Sequence, residues 1–215
     1  MFKSLFKNIP KELSVFIGVI AFIFIIPISS SLYNQRFFSE LIYSFLLFSI
    51  FSLIEKKQIW FKILIIISII LIWLMYFFER DTYKYIAFSF TILVFMIATS
   101  KMIIEIISQK TINAKLILET INGYLLIGVT FSFTNMMILI YNREALKFSN
   151  GQDIINIGDV IYYSYTNLTS LGYGDIIPVI GVAKSISIIS VIIGQLYLSI
   201  IMAFIIGKFL NLQSK

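Results

Sequence analysis

Along the chain, apolar stretches of about 20 residues alternate with short clusters of charged and polar side chains. Six of them are long enough to cross a hydrocarbon layer about 30 Å thick as helices, at about 13–32, 38–54, 61–78, 84–104, 120–141 and 181–209. Pro27 falls near the end of the first and predicts a kink there, with Ser30 or Ser31 placed to satisfy the carbonyl it frees. Trp60 stands at one end of the third, and Tyr76 and Tyr83 stand near the other, as aromatic anchors do at a membrane interface. Between the fifth and sixth stretches, 142–158 reads as polar loop. Asp159 then reads as the cap of a helix of about 10 residues ending near Thr169. At about 1.5 Å per residue this helix reaches halfway through a bilayer, so it is re-entrant. The pattern predicts an all-α membrane protein: six transmembrane helices, with a re-entrant helix and loop between the fifth and sixth.

Composition agrees: 59% of the 215 residues are hydrophobic and 13% charged, against about 25% charged in soluble domains. The chain has no cysteine and no histidine, which excludes disulfides, thiolate chemistry and imidazole metal ligation. Its carboxylates are few and scattered, and no enzyme activity is expected. Lys3, Lys7 and Lys11 precede the first apolar run as they would in a secretory leader. That run is nearly 20 residues long, however, and Tyr33, Asn34, Gln35 and Arg36 follow it in place of a small-residue cleavage site. It therefore reads as a retained helix.

Charge sets the expected topology. With a cytoplasmic N-terminus, eleven of the seventeen Lys and Arg fall inside and only Arg36, Arg80, Lys84, Arg143, Lys147 and Lys184 fall outside. Lys and Arg bias orients membrane helices, so both termini are expected in the cytoplasm and 142–180 outside. The net charge of +6 then reflects orientation, and no aromatic-interleaved basic patch suggests nucleic acid.

The non-spanning region ends in Thr169-Ser170-Leu171-Gly172-Tyr173-Gly174-Asp175-Ile176-Ile177-Pro178. A backbone that turns successive carbonyls toward one axis must alternate between ordinary and left-handed dihedrals, which glycine tolerates without cost. Gly172 and Gly174 have that spacing. Tyr173 between them is placed to pack on the supporting helix. Asp175 is placed to accept a hydrogen bond behind the loop, and Pro178 to stiffen the outer turn. The C-terminal end of the preceding helix has partial negative charge and favours a cation nearby.

These residues resemble the pore of the potassium channel superfamily, in particular small bacterial channels of the two-helix-pore type, here with four preceding membrane helices. The family pattern is Thr-Val-Gly-Tyr-Gly-Asp. This chain has Ser170 in place of the filter threonine and Leu171 in place of valine. The serine keeps the hydroxyl but loses a methyl that limits its rotation; the leucine changes packing behind the filter. The resemblance implies K+ coordination by the carbonyls of Ser170, Leu171, Gly172 and Tyr173 and by the Ser170 hydroxyl, with Gly174 and Asp175 supporting the filter. Family members place a hinge glycine twenty residues beyond the last filter glycine, at Gly194 here. The same spacing turns Gln195, Leu198 and Met202 to the cavity and brings Ala203 to Gly207 near the inner gate. Tyr162 and Tyr163 match aromatic positions of the pore helix. Thr166 stands where some relatives have a glutamate paired with the filter aspartate.

Gly194 also reads as a helix-packing position, as do Gly123 and Gly128, and Gln195 also reads as a helix contact. Ile86 to Ser100 of the fourth segment has no charge, which excludes steep voltage sensing, since each charge moved supplies only about 2.3 kcal/mol per 100 mV. Lys101 and Glu105 are expected to pair at the inner surface or meet headgroups. Glu40 and Glu79 are expected at the outer interface, with buried functional carboxylates as the alternative.

The expected organisation is a four-helix membrane domain at 1–115 and a pore domain at 116–215, with no soluble ligand-binding domain in the chain. One copy of the filter segment implies a homotetramer in contact with membrane lipid. No cofactor is expected, and potassium is the transported ion. The expected function is a potassium-selective channel subunit in a bacterial inner membrane. The alternatives are a weakly selective monovalent cation channel or a non-conducting regulatory subunit.

Overall fold

The computed structural model describes residues 11–29, 35–54, 58–78, 80–109, 114–150 and 156–213; the side chains of Ala114, Met202 and 208–213 are outside this description. The helices are α1 (Lys11–Ile28), α2 (Gln35–Leu53), α3 (Ile59–Phe78), α4 (Asp81–Ser108), α5 (Ala114–Tyr141), α6 (Ile157–Leu168) and α7 (Gly181–Gln213). Strands β1 (Leu146–Phe148) and β2 (Ile176–Pro178) flank α6. Among the described residues, six helices are long and apolar enough to cross a membrane, as predicted. Most run several residues past their expected ends, because polar residues such as Lys11, Gln35 and Asp81 continue the backbone bonding that begins in the apolar part.

The kink expected at Pro27 takes the form of a π-helical turn over Ala21–Ile25, just before the proline. Proline has no N–H to donate and crowds the carbonyl four residues back, and a widened turn relieves both. Just beyond the proline, Ser29 Oγ donates to the Ile26 carbonyl at 2.8 Å. Ser30, Ser31 and Glu79 lie outside the described residues.

Helices α1 to α4 form a bundle closed by α5, which packs on both α1 and α4. Phe133 of α5 is fully buried at its centre, with the rings of Phe22, Tyr43, Phe88 and Phe95 at centroid distances of 5.0 to 6.0 Å. The expected boundary at 115/116 falls in the first turn of α5, and one hydrophobic core continues across it. Buried hydroxyls inside the bundle bond to the turn behind them, as apolar surroundings require: Ser49 to the Phe45 carbonyl at 2.9 Å and Thr91 to Ala87 at 2.7 Å. On α4, Ala87, Thr91, Val94 and Ala98 face this core.

Two expectations change. The span 142–158, expected as loop, contains β1, which pairs antiparallel with β2 in the register Leu146–Pro178, Lys147–Ile177, Phe148–Ile176. The pairing satisfies backbone groups that a loop beside the membrane would leave to water. Glu40, expected first at the interface, is 2% exposed and lines a cavity of about 280 Å³ together with Tyr43, Lys84 and the first turn of α6. Lys101 reaches Gln58 Oε1 and lies 4.2 Å over the Phe61 ring, which shields its stem from lipid. At the same end of the bundle Lys115 meets Glu119 at 3.2 Å and Glu12 at 3.6 Å, tying α1 to α5.

Candidate functional site: the loop between α6 and α7

The site is built on α6. Its N-terminus is held by a capping box: Asn156 Oδ1 accepts from the Asp159 N–H at 3.0 Å, and Asp159 Oδ2 accepts from the Asn156 N–H at 2.9 Å. Asp159, expected to be the cap, is therefore the third helical residue and Asn156 the cap. The reciprocal pair satisfies two donors that a helix start leaves free. The flank of α6 is fixed to α5 through two bonds, Tyr165 Oη to the Leu125 carbonyl at 2.7 Å and Asn135 Nδ2 to Ser164 Oγ at 2.9 Å. Tyr163 Oη lies 2.5 Å from Ser187 Oγ of α7. Gly128 and Gly123, read as packing positions, make room for the rings of Tyr165 and Tyr197.

At its C-terminus the chain folds back on the last turn. Thr169 N–H donates to the Tyr165 carbonyl, Ser170 N–H to Asn167, and Leu171 and Gly172 N–H both to Thr166, at 2.9 to 3.1 Å. The donors of this stretch are thus used behind the loop. Among the described residues, the carbonyls of Ser170, Leu171, Gly172 and Tyr173 accept no hydrogen bond. The dihedrals explain the separation: Ser170, Gly172 and Gly174 have φ of 59°, 48° and 75°, so left-handed residues alternate with ordinary ones. The two glycines follow from this backbone and not from crowding, since a Cβ on either would meet nothing within 4 Å. The alternation reaches one residue further than glycine spacing indicated. At Ser170 a β-branched residue would be strained, so the serine fits its backbone better than the family threonine does.

Behind the loop, the Tyr173 ring stacks on Tyr162 at 6.3 Å and an interplanar angle of 7°. Tyr162 Oη donates to Asp175 Oδ2 at 2.8 Å, and Asp175 Oδ1 accepts from the Ile176 N–H at 3.0 Å. The Asp175 carbonyl accepts from the Ser149 N–H at 2.8 Å, tying the far end of the loop to the residue after β1. A phenol thus supports Asp175 where Thr166 leaves no carboxyl partner. The signal was present in the Tyr-Tyr pair at 162 and 163.

Helix α7 contributes the remaining contacts. It runs unbroken through Gly194, and a Cβ there would stand 2.0 Å from the Leu168 carbonyl oxygen. Gly194, expected as a hinge, is thus also a point of close approach to the end of α6. Gln195 Nε2 donates to Ser170 Oγ at 2.7 Å, a contact sequence reasoning left open. Leu198, one turn on, is exposed on the isolated chain; the side chain of Met202 lies outside the described residues. The arrangement offers consecutive oxygen acceptors, tied from behind, that are able to replace water around a dehydrated cation.

Residues 121–211, which span α5 to α7, match the family model described as ion channel. No curated protein and no solved structure matches the chain significantly. The match over 121–211 makes this part of the chain similar to an ion-channel domain, consistent with the potassium channel superfamily.

Proposed function

We propose that the chain is one subunit of a homotetrameric, potassium-selective channel in which the carbonyls of Ser170, Leu171, Gly172 and Tyr173 and the Ser170 hydroxyl replace the hydration shell of K+. The observation that carries this reading is the alternation of left-handed φ at 170, 172 and 174 together with four carbonyls free of hydrogen bonds. A single copy of such a segment encloses no axis, so fourfold cyclic assembly completes it. Leu171 and Tyr173 are exposed on the single chain, as are Ile188, Ile192 and Leu196 of α7, which leaves apolar surface for neighbouring subunits and lipid. Ions then move by knock-on between adjacent sites, and no covalent bond changes. In this reading both termini are cytoplasmic, the 142–180 region faces outward, and the cell membrane of a bacterium is the site of action.

Reconstitution of the full chain in liposomes tests it. Potassium flux is expected, with a reversal potential under a sodium-to-potassium gradient that follows potassium, and with block by barium. Replacing Gly172 with alanine forces a side chain onto φ of 48° and is expected to abolish selective flux. Equal, selective flux from both proteins overturns the filter reading. Tetramers without flux favour a non-conducting subunit, and a reversal potential indifferent to the cation favours a weakly selective channel.

A further inference from the structure

Ser170 combines two features that work against each other. Its left-handed φ of 59° disfavours a β-branched side chain, and without the extra methyl its hydroxyl is free to rotate among three staggered positions. Two of those positions would carry the oxygen away from where a coordinated ion needs it. A donor from another element that binds this oxygen at one position removes the freedom without straining the backbone.

Such a donor is present. Gln195 Nε2 donates to Ser170 Oγ at 2.7 Å, and the contact bridges α7 and the inner end of the loop. Its reach depends on the adjacent glycine: α7 lies so close to the end of α6 that a Cβ at Gly194 would stand 2.0 Å from the Leu168 oxygen, which brings the next side chain within bonding distance of the residue two beyond Leu168. The amide spends one N–H on the hydroxyl. The serine oxygen keeps a lone pair for an ion, and its own proton turns away from the amide.

We infer that Gln195 is a specificity-determining residue whose side-chain amide holds the Ser170 hydroxyl in place as an oxygen ligand at the inner end of the ion path. The inference rests on the filter reading above. Gln195 is a positioning residue: it acts through Ser170. In a fourfold ring, four amides would fix four hydroxyls at one level.

A double-mutant cycle tests this with the full chain in planar bilayers, using internal barium as the probe, a divalent ion of nearly potassium's size. Q195L removes the donor while keeping the volume, S170A removes the acceptor, and the third protein has both changes. Internal barium block is expected to weaken about 5-fold in Q195L, the scale of one lost side-chain hydrogen bond. Adding Q195L to S170A is expected to change block by less than about 2-fold, because a residue acting through the hydroxyl has nothing left to act on. Q195M, unbranched and closest in shape, is expected to behave as Q195L does and replaces it should the leucine protein fail to assemble. Unchanged block in Q195L, or the same weakening with and without the Ser170 hydroxyl, overturns the inference while leaving a selective wild type intact. A wild type that passes sodium and potassium alike overturns the filter reading, and the inference with it.

Discussion

Replacing Gly194 with alanine separates a contact from a hinge by the sign of its effect. In an ordinary helix interior, glycine to alanine is favourable by about 1 kcal/mol. Here the new Cβ would stand 2.0 Å from the Leu168 oxygen, and real Cβ atoms essentially never come within 3.0 Å of such a neighbour. The oxygen belongs to backbone at the end of α6, so α7 must move out by about 1 Å. A shift of that size along the Gln195–Ser170 direction takes a bond of 2.7 Å past the roughly 3.5 Å at which hydrogen bonding is lost. Overpacking of this kind costs about 1–3 kcal/mol and the lost bond about 1. Set against the helix gain, the net loss is about 1–3 kcal/mol. The assay is thermal unfolding of the purified protein in detergent, with Gly207→Ala as control, because a Cβ at Gly207 meets nothing within 4 Å. At about 2–4 °C per kcal/mol, G194A is expected to melt about 5 °C below wild type and G207A at or above it. A G194A protein that melts with G207A would refute the contact.

Three further outcomes follow from the same geometry. Tyr162→Phe removes the phenol that donates to Asp175 Oδ2 at 2.8 Å but keeps the ring under Tyr173; current during sustained potassium flux is expected to decay about 5-fold faster, and unchanged decay counts against Asp175 as a support. Asn156→Ala removes the acceptor of the Asp159 N–H; a loss of about 1 kcal/mol predicts hydrogen exchange about 5-fold faster at the first amides of α6, with the later turns as reference. Phe133→Ala empties the point where four other rings meet and is expected to cost about 3–5 kcal/mol in thermal unfolding; a loss below about 1 kcal/mol contradicts a core shared by α1, α2, α4 and α5.

The spanning helices were legible because lipid exposure demands long uncharged runs, and those runs survive in the sequence whatever the packing. The short helix between the fifth and sixth spans was legible as well, from its cap and its length. Its start was misread by three residues because Asp159 and Asn156 are both cap formers, and the choice between them depends on which backbone first turns helical. The β1–β2 pair was not legible: each strand has three residues, too few to show a period, and the two meet only after α6 and the loop have folded between them. The interfacial reading of Glu40 failed because a carboxylate near a segment end looks interfacial, while α3, α4, α5 and α6 all close over α2 there. In the loop, Gly172 and Gly174 announced their dihedrals; Ser170 did not, since serine occurs freely at ordinary φ. The Gln195–Ser170 bond was beyond reach because it depends on how closely two helices approach.

That approach also explains why the loop needs the rest of the chain. Its acceptors are free only because its donors are bound to the last turn of α6, so its shape is the shape of that helix end. Helix α6 in turn is held from three sides: α1 packs on its start near the π-helical turn, α5 grips its flank through Tyr165 and Ser164, and α7 meets its end at Gly194. The first of these contacts comes from the part of the chain that contains no ion-channel match. A change in α1 at Pro27, far from the loop in sequence, therefore acts on the element that sets the loop backbone, and α1 is mechanically part of the loop's support.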